Sequence, residues 1–201
     1  MSLWLAPHPL VLASRSASRR LVLESAGLAL EIAPADIDER AVERAATGGA
    51  GAVAAHLAVE KAKAVARQKA GRLVLGADQT LVLGERRFSK PTDRKSAAEQ
   101  LAALRGRTHE LHSAVALVRD AEVLFAHTQV ARMTMRPFSD HFLSAYLDHA
   151  GEAVLTSVGG YQVEKSGIQL FERIEGDHFT ILGLPLLPLL AFLRRAQFLS
   201  E

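Results

Sequence analysis

Leu73-Val74-Leu75-Gly76-Ala77-Asp78-Gln79-Thr80-Leu81-Val82-Leu83 is the stretch that decides the fold. Its aliphatic run reads strongly as a β-strand. Two residues inside it are out of character. Gly76 has no side chain to pack, so it leaves room for a ligand or another strand to come close. Asp78 is costly to bury unless it is paired or bound to metal. Its carboxylate reads either as the centre of a site or as a strand-end group paired with an arginine.

Working outward from this strand, the chain alternates strands and helices. Residues 10–13 predict a short strand, followed by a Ser/Arg loop at 14–20. The next helix offers Leu21, Leu23 and Ala26 to the core and stops at Gly27. A second strand is expected over 30–33, then an acidic stretch with Asp36, Asp38 and Glu39. The turn at 48–51 leads into a long helix that runs to Gly71. Beyond the decisive strand, a polar turn at 85–87 precedes Lys90-Pro91. A helix capped by Thr92 or Asp93 follows and stops at Gly106. Strands over 110–118 and 122–135 form a hairpin across Asp120-Ala121, and Ser139 caps another helix. A Gly159-Gly160 loop, a strand over 168–174 and a helix from Pro185 complete the chain. This order predicts an α/β fold with a mixed sheet flanked by helices, in one domain over residues 1–201.

The 201 residues suffice for a sizeable core, and 49% hydrophobic with 23% charged residues is ordinary for a soluble globular chain. A net charge of +2 without a dense Lys/Arg block argues against a nucleic-acid binder. Absence of cysteine excludes disulfides and thiolate metal sites, and suits a cytosolic enzyme. The first fourteen residues lack a charged start and carry Pro7 and Pro9, so no signal peptide is expected. The longest apolar run, 181–193, is broken by Pro185 and Pro188 and falls short of the roughly 20 residues a membrane span needs.

Three groups of residues could carry chemistry. The loop Ser14-Arg15-Ser16-Ala17-Ser18-Arg19-Arg20 joins a strand to a helix start. Backbone N–H groups, serine hydroxyls and two arginine forks can hold an anion there. The alternative reading is a serine that only caps the helix while both arginines face solvent. Glu39 and Asp78 could together hold a hard cation through oxygen. Lys61 falls within the apolar stripe of its helix, where it either snorkels out or meets a buried anion, whereas Lys63 points to solvent. Lys90, held extended by Pro91, is either a phosphate contact or a surface lysine. The eight histidines read as structural or solvated; His109 and His112 fall on opposite faces of a strand.

Taken together these segments resemble the Maf family of nucleoside triphosphate pyrophosphatases. The resemblance rests on residues 12–20, Asp38-Glu39, Glu60-Lys61-Ala62, Gly76-Ala77-Asp78, Lys90-Pro91, Gly106-Arg107-Thr108-His109, residues 171–177 and Gly183-Leu184-Pro185-Leu186. It implies a homodimer of elongated two-lobed α/β chains, each with a cleft, hydrolysing nucleoside triphosphates between the α- and β-phosphates. It assigns Asp78 as proton acceptor, Glu39 and Asp78 to a divalent metal such as Mg²⁺ or Mn²⁺, and Ser14, Ser16, Arg19, Lys61 and Lys90 to phosphate. Base choice falls to Ser18, Gln79 and Glu164. Gln79 and Glu164 are similar to the branch acting on 7-methylguanosine triphosphate, since a carboxylate can accept from guanine N–H groups. Ser18 lacks that branch's stacking group. Ala17 replaces a proline and Ser89 a glycine. The family is also associated with arrest of septum formation, so a regulatory nucleotide binder without turnover is the alternative.

Overall fold

The computed structural model describes residues 3–200. Among them, strands and helices alternate as β1 (Leu10–Leu12), α1 (Ala17–Ser25), β2 (Leu30–Ile32), α2 (Glu39–Ala45), α3 (Ala50–Ala66), β3 (Leu73–Leu83), β4 (Arg86–Phe88), α4 (Arg94–Leu104), β5 (Thr108–Arg119), β6 (Glu122–Met135), α5 (Asp140–Ala150), β7 (Phe171–Glu175), α6 (His178–Ile181) and α7 (Leu186–Arg195). The chain divides into two compact units, and β3, β5 and β6 each give a segment to both. The sheet is mixed, as expected. β1 pairs in parallel with β2 and β3, while β3–β4 and β6–β7 are antiparallel.

The first unit comprises Met1–Gln79, Ser113–Gln129 and His178–Glu201. Its strand order is β2-β1-β3-β5-β6. β1 is fully buried, and so are the first six residues of β3, Leu73 to Asp78. The leucines of β1 and β3 pack with Leu184, Leu186, Leu189 and Leu193 from α7 and the segment before it. α3 supplies alanines at 54, 58, 62 and 66, one turn apart and all buried. Such a stripe brings the helix backbone close to whatever it covers. Ala54 and Ala58 meet Ala114 and Ala116 of β5, while Ala62 and Ala66 meet Val11, Ala13 and Val74.

Gly76 is where the fit is tightest. A Cβ there would collide with the Ala58 carbonyl oxygen and stand 2.8 Å from the Ala62 amide nitrogen. The expectation of a ligand or second strand over Gly76 is therefore corrected. The close neighbour is the backbone of α3.

The second unit comprises Thr80–His112 and Val130–Asp177, with β4, β3, β5, β6 and β7 in that order. Asp93 rather than Thr92 caps α4, in a reciprocal box with Ser96. Ser139 caps α5 as expected. Three local readings change. The polar turn at 85–87 runs into the short strand β4, because Arg86 to Phe88 pair back onto β3. The strand expected from residue 168 begins at Phe171, since Ser166–Leu170 winds into a 3-10 turn. The long helix ends at Ala66 rather than Gly71.

His109 lies in the core of this unit. Its Nε2 is 2.7 Å from the Tyr161 hydroxyl, Phe171 packs beside both rings, and Nδ1 is buried without a partner among the described residues. Burial lowers its pKa from 6.5 to about 4. The folded protein thus resists a proton that the unfolded chain accepts near pH 6.5. Stability contributed by neutral His109 is complete above that pH and is lost as pH falls toward 4, by about 3 kcal/mol. His109→Gln keeps a polar partner for Tyr161 and removes the titration. Urea unfolding at pH 7 and pH 4.5 should then show a markedly smaller acid loss in the variant. Equal losses in both proteins would refute the assignment.

Candidate active site

The site in the first unit is assembled past the end of β1 and midway along β3. Asp78 follows the buried run of β3 and is itself only 7% exposed. Lys61, on the strand-facing side of α3, is 8% exposed. Its Nζ donates to Asp78 Oδ1 at 2.7 Å and pairs with Glu39 Oε1 at 3.0 Å. Of the two readings left open for Lys61, the structure selects the buried anion. Lys63, by contrast, is half-buried and 3.9 Å from Glu60.

Glu39 comes from a helix start. It opens α2, where Asp38 caps the helix by accepting from the Ala41 amide. Asp38 is therefore a helix cap, and Glu39 gains from its place at the positive end of that helix. Its side chain is 54% exposed, in contrast to Asp78.

Two opposing effects act on Asp78. Burial raises its pKa above the ordinary value, against the pull of Lys61 and Arg19. A proton is accordingly bound more readily there than on an exposed aspartate. The arrangement suits a group that takes a proton during a reaction.

Arg19 is built into the fold more firmly than the sequence implied. Its Nε donates to the Gly183 carbonyl at 2.9 Å. Its Nη1 donates to the Ala77 carbonyl at 2.9 Å and to Ser14 Oγ at 3.2 Å. Burial lowers its pKa, while the charges of Asp78 and Glu39 raise it. Nη2 is the part of the fork outside these bonds. Ser16 caps α1 and accepts from the Arg19 amide at 3.3 Å, and Ser14 Oγ also accepts from the Ser16 amide. Arg20 turns to solvent and pairs with Glu24 at 2.8 Å. The helix-cap reading thus holds for Ser16 and the solvated-face reading for Arg20. Arg19 instead braces the loop against the residue before Asp78.

Gln79 carries a further constraint. Its Nε2 lies 2.9 Å from Ser113 Oγ, 3.2 Å from the Thr180 carbonyl and 3.0 Å from the Ile181 carbonyl. Two of these are obligate acceptors, so the amide nitrogen must face them. What Gln79 can offer a ligand is its oxygen. Ser113, fully buried, donates in turn to the Thr180 carbonyl at 2.7 Å. The sequence reading missed Ser113 and the carbonyls of Ala77 and Gly183. A hydroxyl opening the apolar run 114–118 was the available signal for the first. Nothing in a sequence marks a backbone carbonyl.

Ser18 is half-buried on α1. Lys90 and Glu164 are exposed and belong to the second unit. Among the described residues no group of three or more histidines, aspartates and glutamates gathers as a metal cage, and no helix is long and apolar enough to cross a membrane.

Comparison with known proteins finds relatives of this chain. A nucleoside triphosphate pyrophosphatase of Rhodopseudomonas palustris (strain HaA2) is 58% identical over 201 residues, 100% of both chains. A 7-methyl-GTP pyrophosphatase of Rhizobium meliloti (strain 1021) is 56% identical over 188 residues, covering 92% of this chain and 94% of that protein. Among solved structures, a HAM1 protein from Coxiella burnetii aligns with TM-score 0.43 and 19% identity, over 63% of this chain and 72% of that one. The family model described as Maf-like protein matches residues 9–196, and the chain belongs to that family.

Proposed function

We propose that the protein hydrolyses nucleoside triphosphates to the monophosphate and pyrophosphate, with Asp78 as the base. The observation that carries this reading is the buried Lys61 ammonium held between Asp78 and Glu39. The names of the relatives, pyrophosphatases matching over nearly the whole chain, support it.

In this mechanism Asp78 orients a water and takes its proton as the oxygen attacks the α-phosphorus. The bond from the α-phosphorus to the bridging oxygen breaks, and pyrophosphate leaves with the electron pair. Lys61 fixes Asp78 through one oxygen and places a positive charge beside the reacting phosphate. The loop from Ser14 to Arg19 offers hydroxyls, helix-start amides and Arg19 Nη2 to phosphate oxygens. The resemblance assigns Lys90 to phosphate and Glu164 to the base.

The protein oxygens suit a hard dication. Two carboxylates are available on Glu39 and Asp78, and the described residues build no larger cage. Mg²⁺ is commonly held by one or two carboxylates, with water and substrate phosphates completing its shell. Bound by these two residues, it would supply charge neutralisation on the phosphate oxygens.

For the base, we propose guanine, including its 7-methyl form. Gln79 presents an acceptor oxygen because its nitrogen is engaged, and Glu164 presents a second acceptor. Guanine offers ring and exocyclic N–H donors to match. Homodimerisation and a cytoplasmic location belong to the same reading. Pyrophosphate release from a panel of canonical and methylated triphosphates, with and without Mg²⁺ or Mn²⁺, tests it. Metal-dependent release that is fastest with guanine bases is expected. Nucleotide binding without release would favour a regulatory binder instead.

A further inference from the structure

We propose that the first unit carries a second, separate site, for a phosphate-sized oxyanion, built on Arg72 and Arg119. Both arginines line a pocket of about 120 Å³ together with His8, Gly71 and Phe198. In both, the Nε atom is buried and has no hydrogen-bond partner among the described residues. Leaving one such donor unpaired is costly, and two such arginines lining one pocket point to a shared acceptor.

The pocket is rigidly framed. The Arg119 guanidinium lies over the Phe198 ring, 5.2 Å from its centroid. Arg72 Nη2 donates to the Pro9 carbonyl at 3.0 Å and to Glu31 at 2.7 Å. The Trp4 indole donates to the His8 carbonyl at 2.8 Å. Glu31 is shared between Arg72 and Lys69. The Asp120 carboxylate is occupied by the Gly71 amide at 2.7 Å. Among the described residues named here, the cations Arg72, Arg119 and Lys69 outnumber the carboxylates Glu31 and Asp120. Its small volume admits one phosphate-sized group and no nucleoside, since pockets for larger ligands run to several hundred Å³.

This site is distinct from the one around Asp78. Arg72 and Leu73 stand at the start of β3, and Asp78 follows five residues on, roughly 16 Å along an extended strand. His8 likewise precedes β1, whereas Ser14 follows it. The two sites therefore occupy opposite ends of the parallel strand pair.

The test uses the whole protein and inorganic phosphate as the probe. Arginine Nε–H resonances, assigned by substitution, are followed by NMR during titration. The Arg72 and Arg119 signals should shift together and saturate. In Arg119→Met the remaining Arg72 signal should require at least about tenfold more phosphate. Arg119→Lys, which keeps the charge but not the Nε donor, should also lose affinity, and it serves should the methionine variant fail to fold. Signals from Arg72 and Arg119 that stay fixed while the loop from Ser14 to Arg20 responds would overturn the proposal. So would wild-type phosphate affinity in a folded Arg119 variant. Neither readout depends on triphosphate turnover, so the two assignments stand or fall separately.

Discussion

Asp78→Asn is expected to lower kcat by about 10²- to 10⁴-fold, the usual loss when a general base is removed. The amide preserves the size of the side chain and can still accept from Lys61, which also retains Glu39 at 3.0 Å. Triphosphate binding should therefore survive with KM little changed, because the interaction removed is one used in the transition state. The wild-type rate should fall on the acid side as Asp78 becomes protonated. Burial places that fall above the 3.8 of an ordinary aspartate. Steady-state kinetics of both proteins from pH 4 to 9 provide the check. A variant within threefold of wild type would remove Asp78 from the chemistry.

Gly76→Ala should be the most damaging single-methyl change in the first unit. The added carbon meets the Ala58 carbonyl and the Ala62 amide, which belong to a helix backbone and cannot rotate away. Overpacking of this kind typically costs about 1–3 kcal/mol, and a rigid backbone neighbour puts this case at the upper end. For a chain of this size that corresponds to a melting temperature lower by about 10 °C. The consequence also reaches the site. Lys61 lies on α3 beside Ala62, and Asp78 lies two residues beyond Gly76 on β3. Pushing helix from strand lengthens the 2.7 Å contact between them. Differential scanning calorimetry and turnover should thus decline together. A variant with unchanged melting temperature would show that α3 can slide to absorb the methyl group.

Much of this was legible in the residues. The run from Leu73 to Leu83 identified a buried strand, because few other local structures tolerate so continuous an aliphatic stretch. Lys61 could be placed on the inner face of its helix by periodicity alone, which left snorkelling and a buried anion as its two readings. The close packing over Gly76 was foreseen in kind but given the wrong neighbour. An i, i+4 series of alanines shows its purpose only once the facing strand is known. α2 escaped notice because seven residues with no buried position carry no hydrophobic rhythm. The bracing of Arg19 was invisible for another reason. Its acceptors at Ala77 and Gly183 are backbone carbonyls, 58 and 164 residues away. Gln79 was identified as a candidate from the resemblance, but the orientation of its amide required the positions of Ser113, Thr180 and Ile181.

The central claim is attack of water on the α-phosphorus. Hydrolysis of a guanosine triphosphate in ¹⁸O-water, with mass spectrometry of both products, tests it most directly. One ¹⁸O should appear in the monophosphate, and the pyrophosphate should be unlabelled. Label in pyrophosphate or orthophosphate, or intact triphosphate bound without turnover, would contradict it.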